Sequence, residues 1–208
     1  MSETTFALPP AVAPRPAGPP RPDRWDEAAA RLAGRLAVLV EELGDPNGAR
    51  FLAGLADGVP AALSVHGDCL GLPTGGAREP IDRLVSALRP TPPELDLLVL
   101  AGLAHHHEGA AAVLRSLHPA GQPWPTVGLA ASLAERGLLA RTPDASSPAA
   151  RRTVRALLET GSLVRSGALL VVGDGPYPDR TLRPAPVLWE ALAGLDTWPH
   201  GGTGRWST

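Results

Sequence analysis

The sequence predicts a mainly α-helical fold with one small β-hairpin near its C-terminal end. Three observations predict it. Between Leu32 and Leu158 the apolar residues recur at the three- and four-residue spacing of one helix face. Pro or a Ser/Thr cap opens most of these segments, and Gly closes several of them. Only Ala168–Val172 and Arg180–Arg183 read as short extended runs, set about a Gly/Pro turn. Apolar residues are 44% of the 208, but aromatics only 4%, so the core is expected to be Leu, Val and Ala on closely packed helices.

The elements follow in order. Residues 9–22 (PPAVAPRPAGPPRP) hold seven prolines, and 1–22 as a whole reads as a polyproline-II-like tail or spacer. Asp23 suits an N-cap for a first helix whose stripe is Leu32, Leu36, Leu39, Val40 and Leu43, stopped by Gly44-Asp45-Pro46. Phe51, Leu52 and Leu55 mark a second helix, and 64–78 reads as a loop. Pro80 begins a helix through Ile81, Leu84, Val85 and Leu88, which completes an N-terminal helical segment, 23–88.

Thr91-Pro92-Pro93-Glu94 is a capping box with proline at the first helical position. The helix it opens, Leu95 to about Leu103, is apolar nearly all round and therefore belongs at the centre of a domain. Gly109–His118 is a further helix, Thr126 caps another that Gly137 closes, and Ser147-Pro148 starts one that Gly161 closes. The hairpin comes next, then a short helix from Pro186 to Leu192, with 196–208 as a loose tail. Compact helices followed by a hairpin over 89–195 are the winged-helix arrangement, a helix-turn-helix with a β wing, here preceded by additional N-terminal helices.

All 19 basic residues are Arg, as a G+C-rich genome would produce. Mechanisms that need a Lys amine, a P-loop or a Schiff base among them, are excluded. The net charge of −2 offers no strongly basic footprint for nucleic acid. MSETTFALPP lacks the features of a signal peptide, and no apolar run reaches about 18 residues, so a cytoplasmic protein without a membrane segment is expected.

Candidate chemistry is sparse. His66, Asp68 and Cys69 share one loop, but no second cluster at metal spacing supports them. Consecutive residues of a helix point about 100° apart, so His105-His106-His107-Glu108 reads as a corner between helices, not a metal site. Gly173-Asp174-Gly175 follows an apolar strand as a phosphate loop would. Pro176 and Pro178, however, forbid the helix whose amides would face the phosphate, and a hairpin turn is expected instead.

No catalytic, cofactor-binding or metal-ligating residue is therefore expected. The one basic concentration is Arg151, Arg152 and Arg155 with Arg165, Arg180 and Arg183, which reads as a nonspecific phosphate contact, an interface for an acidic partner or simply a solvated face. For DNA readout the recognition helix is expected to be Thr126–Arg136. It offers bases little beyond Ser132, Glu135 and Arg136, which makes nucleic acid an unfavoured partner.

Three stretches in order, ALRPTPPELDLLVLAGLA, PWPTVGLAASL and RALLETGSLVRSGALLVVGDGPYPDRTLRPAPVLWEALAGL, carry a resemblance. They resemble the N-terminal winged-helix region of AAA+ ATPases associated with phage-tail-like contractile injection systems. Pro125–Leu129, Gly173–Pro176 and Arg183-Pro184 are its most specific landmarks. In that family an AAA+ module with a phosphate-binding lysine follows, and nothing after residue 195 matches one. The resemblance thus implies the family's non-catalytic domain: an accessory or targeting module that binds protein, its partner an AAA+ ATPase or another injection-system component. A DNA-binding winged-helix regulator is the alternative.

Overall fold

The structure, a computed structural model, describes residues 24–57, 80–140 and 147–192. The expected tails, the Asp23 cap and the loop with His66, Asp68 and Cys69 lie outside these residues. The described chain is mainly helical with a small two-stranded antiparallel sheet. Its helices are α1 (Arg24–Glu42), α2 (Pro46–Asp57), α3 (Pro80–Leu88), α4 (Pro92–His106), α5 (Glu108–Leu117), α6 (Val127–Glu135), α7 (Ser147–Thr160), α8 (Ser162–Arg165) and α9 (Pro186–Leu192). The strands are β1 (Leu169–Val172) and β2 (Thr181–Pro184), with a 3-10 turn at Tyr177–Asp179 between them.

The helix with no polar face takes the centre. Leu97, Leu98, Leu100 and Ala101 of α4 are completely buried, and α1, α5, α8 and β2 pack around that helix. Burying each leucine contributes roughly 1.5–3 kcal/mol. One cluster of buried apolar side chains runs from Trp25 of α1 to Leu192 of α9. Asp96, on the edge of α4, accepts from Arg35 Nη1 of α1 at 2.8 Å and from the Ala140 N–H at 2.6 Å. Burial pushes its carboxyl up, against the pull of Arg35.

Glu94 organises the next layer. Its Oε2 accepts from both the N–H and the hydroxyl of Thr91 at 2.8 Å, closing the first turn of α4 as the capping box foretold. Its Oε1 accepts from Ser162 Oγ at 3.1 Å and the Leu163 N–H at 3.3 Å, which starts α8. Glycine is required at the neighbouring Gly161, where a Cβ would collide with the Leu157 carbonyl and stand 2.6 Å from Glu94 Oε1. The sequence shows Gly161 only as a stop. Four residues are too few to carry a helical period, and the acceptor that starts α8 lies on α4.

The hairpin pairs Leu169 with Pro184 and Val172 with Thr181. On its other side β2 meets the segment before α6: Leu182 N–H donates to Pro125 O and Val127 N–H to Arg180 O, both at 2.8 Å, across a Thr126–Thr181 bridge. Successive residues of β2 therefore face β1 and Pro125–Val127 alternately. Pro184, which has no N–H to give, falls on the side away from β1. The strands lie within a residue of the expected runs, and the helix stops Gly44 and Gly137 have φ of 88° and 66° as a left-handed cap requires.

Glu94 titration should be visible in stability. Burial alone raises its pKa, but the bonds from Thr91, Leu163 and Ser162 outweigh burial and hold it below 4.5. A depressed folded pKa contributes stability that is present above the unfolded value and is lost as pH falls through the folded one. Glu94→Gln is expected to lower urea-unfolding stability at neutral pH by about 1–3 kcal/mol. The difference from wild type should shrink as the pH is taken below about 4.5. An unchanged urea midpoint at neutral pH would contradict this role.

Candidate functional site

Helix α7 turns Ala150, Val154 and Leu158 into the core, so Arg151, Arg152 and Arg155 come out on its exposed side. The neighbouring elements then decide their surroundings. Arg151 Nε donates to Glu135 of α6. Arg155 Nε donates to Glu159 at 2.7 Å, one turn further along α7. The Arg155 guanidinium also stands 5.1 Å over the ring of Tyr177, which the 3-10 turn of the hairpin supplies. Arg180 approaches the same ring at 5.7 Å, and its Nε reaches the Gly175 carbonyl at 3.4 Å.

Between α6, α7 and this turn lies a notch of about 380 Å³. Val127, Ala131, Val154 and Tyr177 give it apolar walls, with the Arg151 and Arg155 side chains beside them. Two guanidinium groups over one ring are each drawn to its negative face, an attraction that solvent weakens at exposed positions. Burial, and Glu159 after it, push the Tyr177 phenol up, against the pull of Arg155 and Arg180. Its hydroxyl is buried and has no hydrogen-bond partner among the described residues.

Of the six arginines expected to form one surface, the structure brings Arg155 and Arg180 over the Tyr177 ring, and Arg151 lines the same notch as Arg155. Arg152 is exposed on the same helix, and Arg165 is exposed on α8. Arg183 is separate, its guanidinium 5.0 Å over Trp124. Sequence reasoning missed Tyr177, although it is the only tyrosine in the chain. It also missed Glu135 and Glu159 as the partners of the helix arginines. A Glu four residues after Arg155 is a signal that could have found the second of these.

The three histidines go three ways. His107 ends α4 and caps α5, its Nδ1 accepting from the Gly109 N–H at 3.0 Å. His106 Nε2 lies 3.3 Å from Asp26 Oδ1 of α1. His105 sits between Trp124 and Trp189, with ring centroids 4.8 and 5.2 Å away, and burial lowers its pKa. Trp25 meets the far side of this stack, edge-on to Trp189 at 5.0 Å. Among the described residues no three His, Cys, Asp or Glu side chains converge as a metal site would require, and no single helix is long and apolar enough to cross a membrane. Asp174 lies exposed in the hairpin turn between two glycines.

No protein-family model, curated protein or solved structure matches this chain. The notch and its arginines therefore have to be interpreted through their own chemistry, which is that of a surface able to hold a carboxylate beside an apolar group.

The unpartnered Tyr177 hydroxyl makes a test of this packing. Tyr177→Phe keeps the ring under both guanidiniums and removes a buried polar atom, so thermal unfolding should show a gain of up to about 1 kcal/mol. Tyr177→Ala should lower stability by about 2–4 kcal/mol through the lost ring. A loss of stability in the Phe variant would mean that the hydroxyl has a bonding partner.

Proposed function

We propose that this chain is a non-catalytic winged-helix module that docks another protein, acting as an accessory or targeting domain for an AAA+ ATPase of a contractile injection system. The observation that carries the reading is the notch between α6, α7 and the hairpin turn, with apolar walls and guanidinium groups beside them. An acidic peptide with one apolar side chain suits that pairing.

The order of elements supports the winged-helix part. The bridge at Thr126 makes Pro125–Val127 a rudimentary first strand beside β2, with α6 next and α7 the last long helix before the hairpin. The landmarks of the resemblance fall on the junctions of this arrangement. Pro125–Leu129 leads from that strand into α6, Gly173–Pro176 forms the hairpin turn, and Arg183-Pro184 ends β2.

DNA binding remains the second reading, and one observation favours it. Were the long helix before the hairpin to enter the groove, α7 would join the expected Thr126–Arg136 as a candidate for it. It is α7 that exposes Arg151, Arg152 and Arg155. Three features weigh against it. Glu135 and Glu159 engage two of these arginines, the hairpin turn exposes Asp174 and Asp179 where phosphates would approach, and the whole chain carries −2.

The test is a fluorescence-anisotropy titration of the purified chain at about 0.15 M ionic strength. The titrants are the injection-system AAA+ ATPase from the same genome and a mixed-sequence DNA duplex. The ATPase is expected to bind. Arg151→Glu with Arg155→Glu should weaken binding by at least about tenfold, ~1.4 kcal/mol, whereas Arg50→Glu on α2 should leave it unchanged. Duplex binding that falls steeply with added salt, together with no ATPase binding, would replace this reading by the DNA one.

A further inference from the structure

The outer face of the hairpin carries a second surface, apart from the notch. Residues directly opposite each other across an antiparallel pair share a face, so Leu170 and Arg183 stand side by side on β1 and β2. The Thr126–Thr181 bridge, followed two residues further, sets Trp124 opposite Arg183. The Arg183 guanidinium accordingly lies 5.0 Å from the centre of the Trp124 ring. Beyond Trp124 the rings continue through His105 to Trp189, at 4.8 and 5.2 Å.

Leu170, Arg183, Trp124, His105 and Trp189 thus form one row from the hairpin to α9. Leu170 is 37% exposed, and Val172, next to it on the same face, 38%. His105 is exposed, and Arg183, Trp124 and Trp189 are half-buried. Leu169 and Val171 turn the other way, into the core, as strand alternation requires.

The charge in this row is uncompensated. Arg35, Arg136, Arg151 and Arg155 each meet a carboxylate. Arg183 meets none among the described residues, and its Nε is buried without a hydrogen-bond partner. Burying part of a charge without a partner is costly, and a charge-assisted bond is stronger where water is thinned by apolar neighbours. A carboxylate brought to Arg183 therefore gains more than one brought to an arginine in open solvent.

We propose that this face docks a segment of a partner protein that presents an Asp or Glu side chain between two aliphatic ones. The carboxylate meets the Arg183 guanidinium, one aliphatic group lies against Leu170 and the other on the Trp124 ring. Trp and Arg together at the middle of a small patch are the composition of an interface hot spot. The notch between α6, α7 and the hairpin turn is a separate surface, so the chain can hold two protein segments at once. The proposal stands whether or not the notch binds.

The probe is the peptide Leu-Ser-Asp-Ser-Leu, acetylated and amidated so that aspartate is its only charge. In an extended chain its two leucines and its aspartate fall on one side, about 6.6–6.8 Å apart. The peptide is titrated to about 5 mM into the isotope-labelled full chain at about 0.15 M ionic strength, and the Trp124 indole N–H and Arg183 Nε–H are followed by NMR. Saturable shifts of both, with a millimolar Kd, are expected. The same peptide with Asn for Asp should bind at least about fivefold more weakly, and Arg183→Gln should weaken the original peptide as much.

Should Arg183→Gln disturb the sheet, Leu170→Ser decides in its place, since that side chain is exposed, and a loss of at least about twofold is expected. Equal binding of the Asn peptide, or no saturation at Trp124, would overturn the proposal. Shifts confined to Tyr177 and its neighbours would overturn it too, by placing the peptide in the notch, and would leave the proposed function untouched. Trp124 shifts that grow with protein concentration in the absence of peptide would assign the face to a second copy of the chain instead.

Discussion

One carboxylate ties the start of α4 to the start of α8. Glu94 bonds Thr91 with one oxygen and the Ser162–Leu163 turn with the other, so the central helix and the segment feeding the hairpin share a fixed point. Because α7 ends immediately before that turn and β1 begins just after α8, the same contact sets where the arginine helix and the hairpin stand relative to the core. Burying a charged group is costly unless its bonds are made, and Glu94 has four donors to meet that cost. Gly161 leaves the space in which this happens.

The arginine face follows from that placement. With α7 held against α6, Arg151 comes within reach of Glu135, and with the hairpin turn folded back, Tyr177 slides beneath Arg155 and Arg180. The outcome is a half-compensated surface: guanidinium groups with acidic partners, beside an apolar notch. Exposed ion pairs of this kind are weak, because solvent screens them.

The sheet shows how a single bridge alters the interpretation of a helix. With Thr126 bonded only as the cap of α6, that helix and the hairpin would be separate features. Its pairing with Thr181 joins Pro125–Val127 to β2 and so ties the start of α6 to the hairpin. It also makes β2 the inner strand, and that leaves β1 as the edge. The aromatic stack of Trp25, Trp189, His105 and Trp124 closes the opposite part of the molecule, joining α1, α9, the end of α4 and the segment before α6 through rings about 5 Å apart.

Much of the fold was legible because its signals are local. The capping box at Thr91–Glu94, the Thr126 cap, the Gly44 and Gly137 stops, the His107 corner and the hairpin around Gly173 each depend on residues within a few positions of one another. The apolar periodicity that marks α4 as central is local too, since a helix with no polar face can be satisfied only by burial. The site was less legible. Arg151, Arg152 and Arg155 were visible as a cluster, but nothing in their spacing reveals Tyr177, 22 residues beyond Arg155. By itself the sequence determined which segments become helices, where they stop and which faces are apolar, because backbone bonding and side-chain period act over short separations. The tertiary structure alone decided which arginines meet Tyr177, which end of Glu94 starts α8 and which strand meets Pro125–Val127, because each depends on groups brought together only when the core closes.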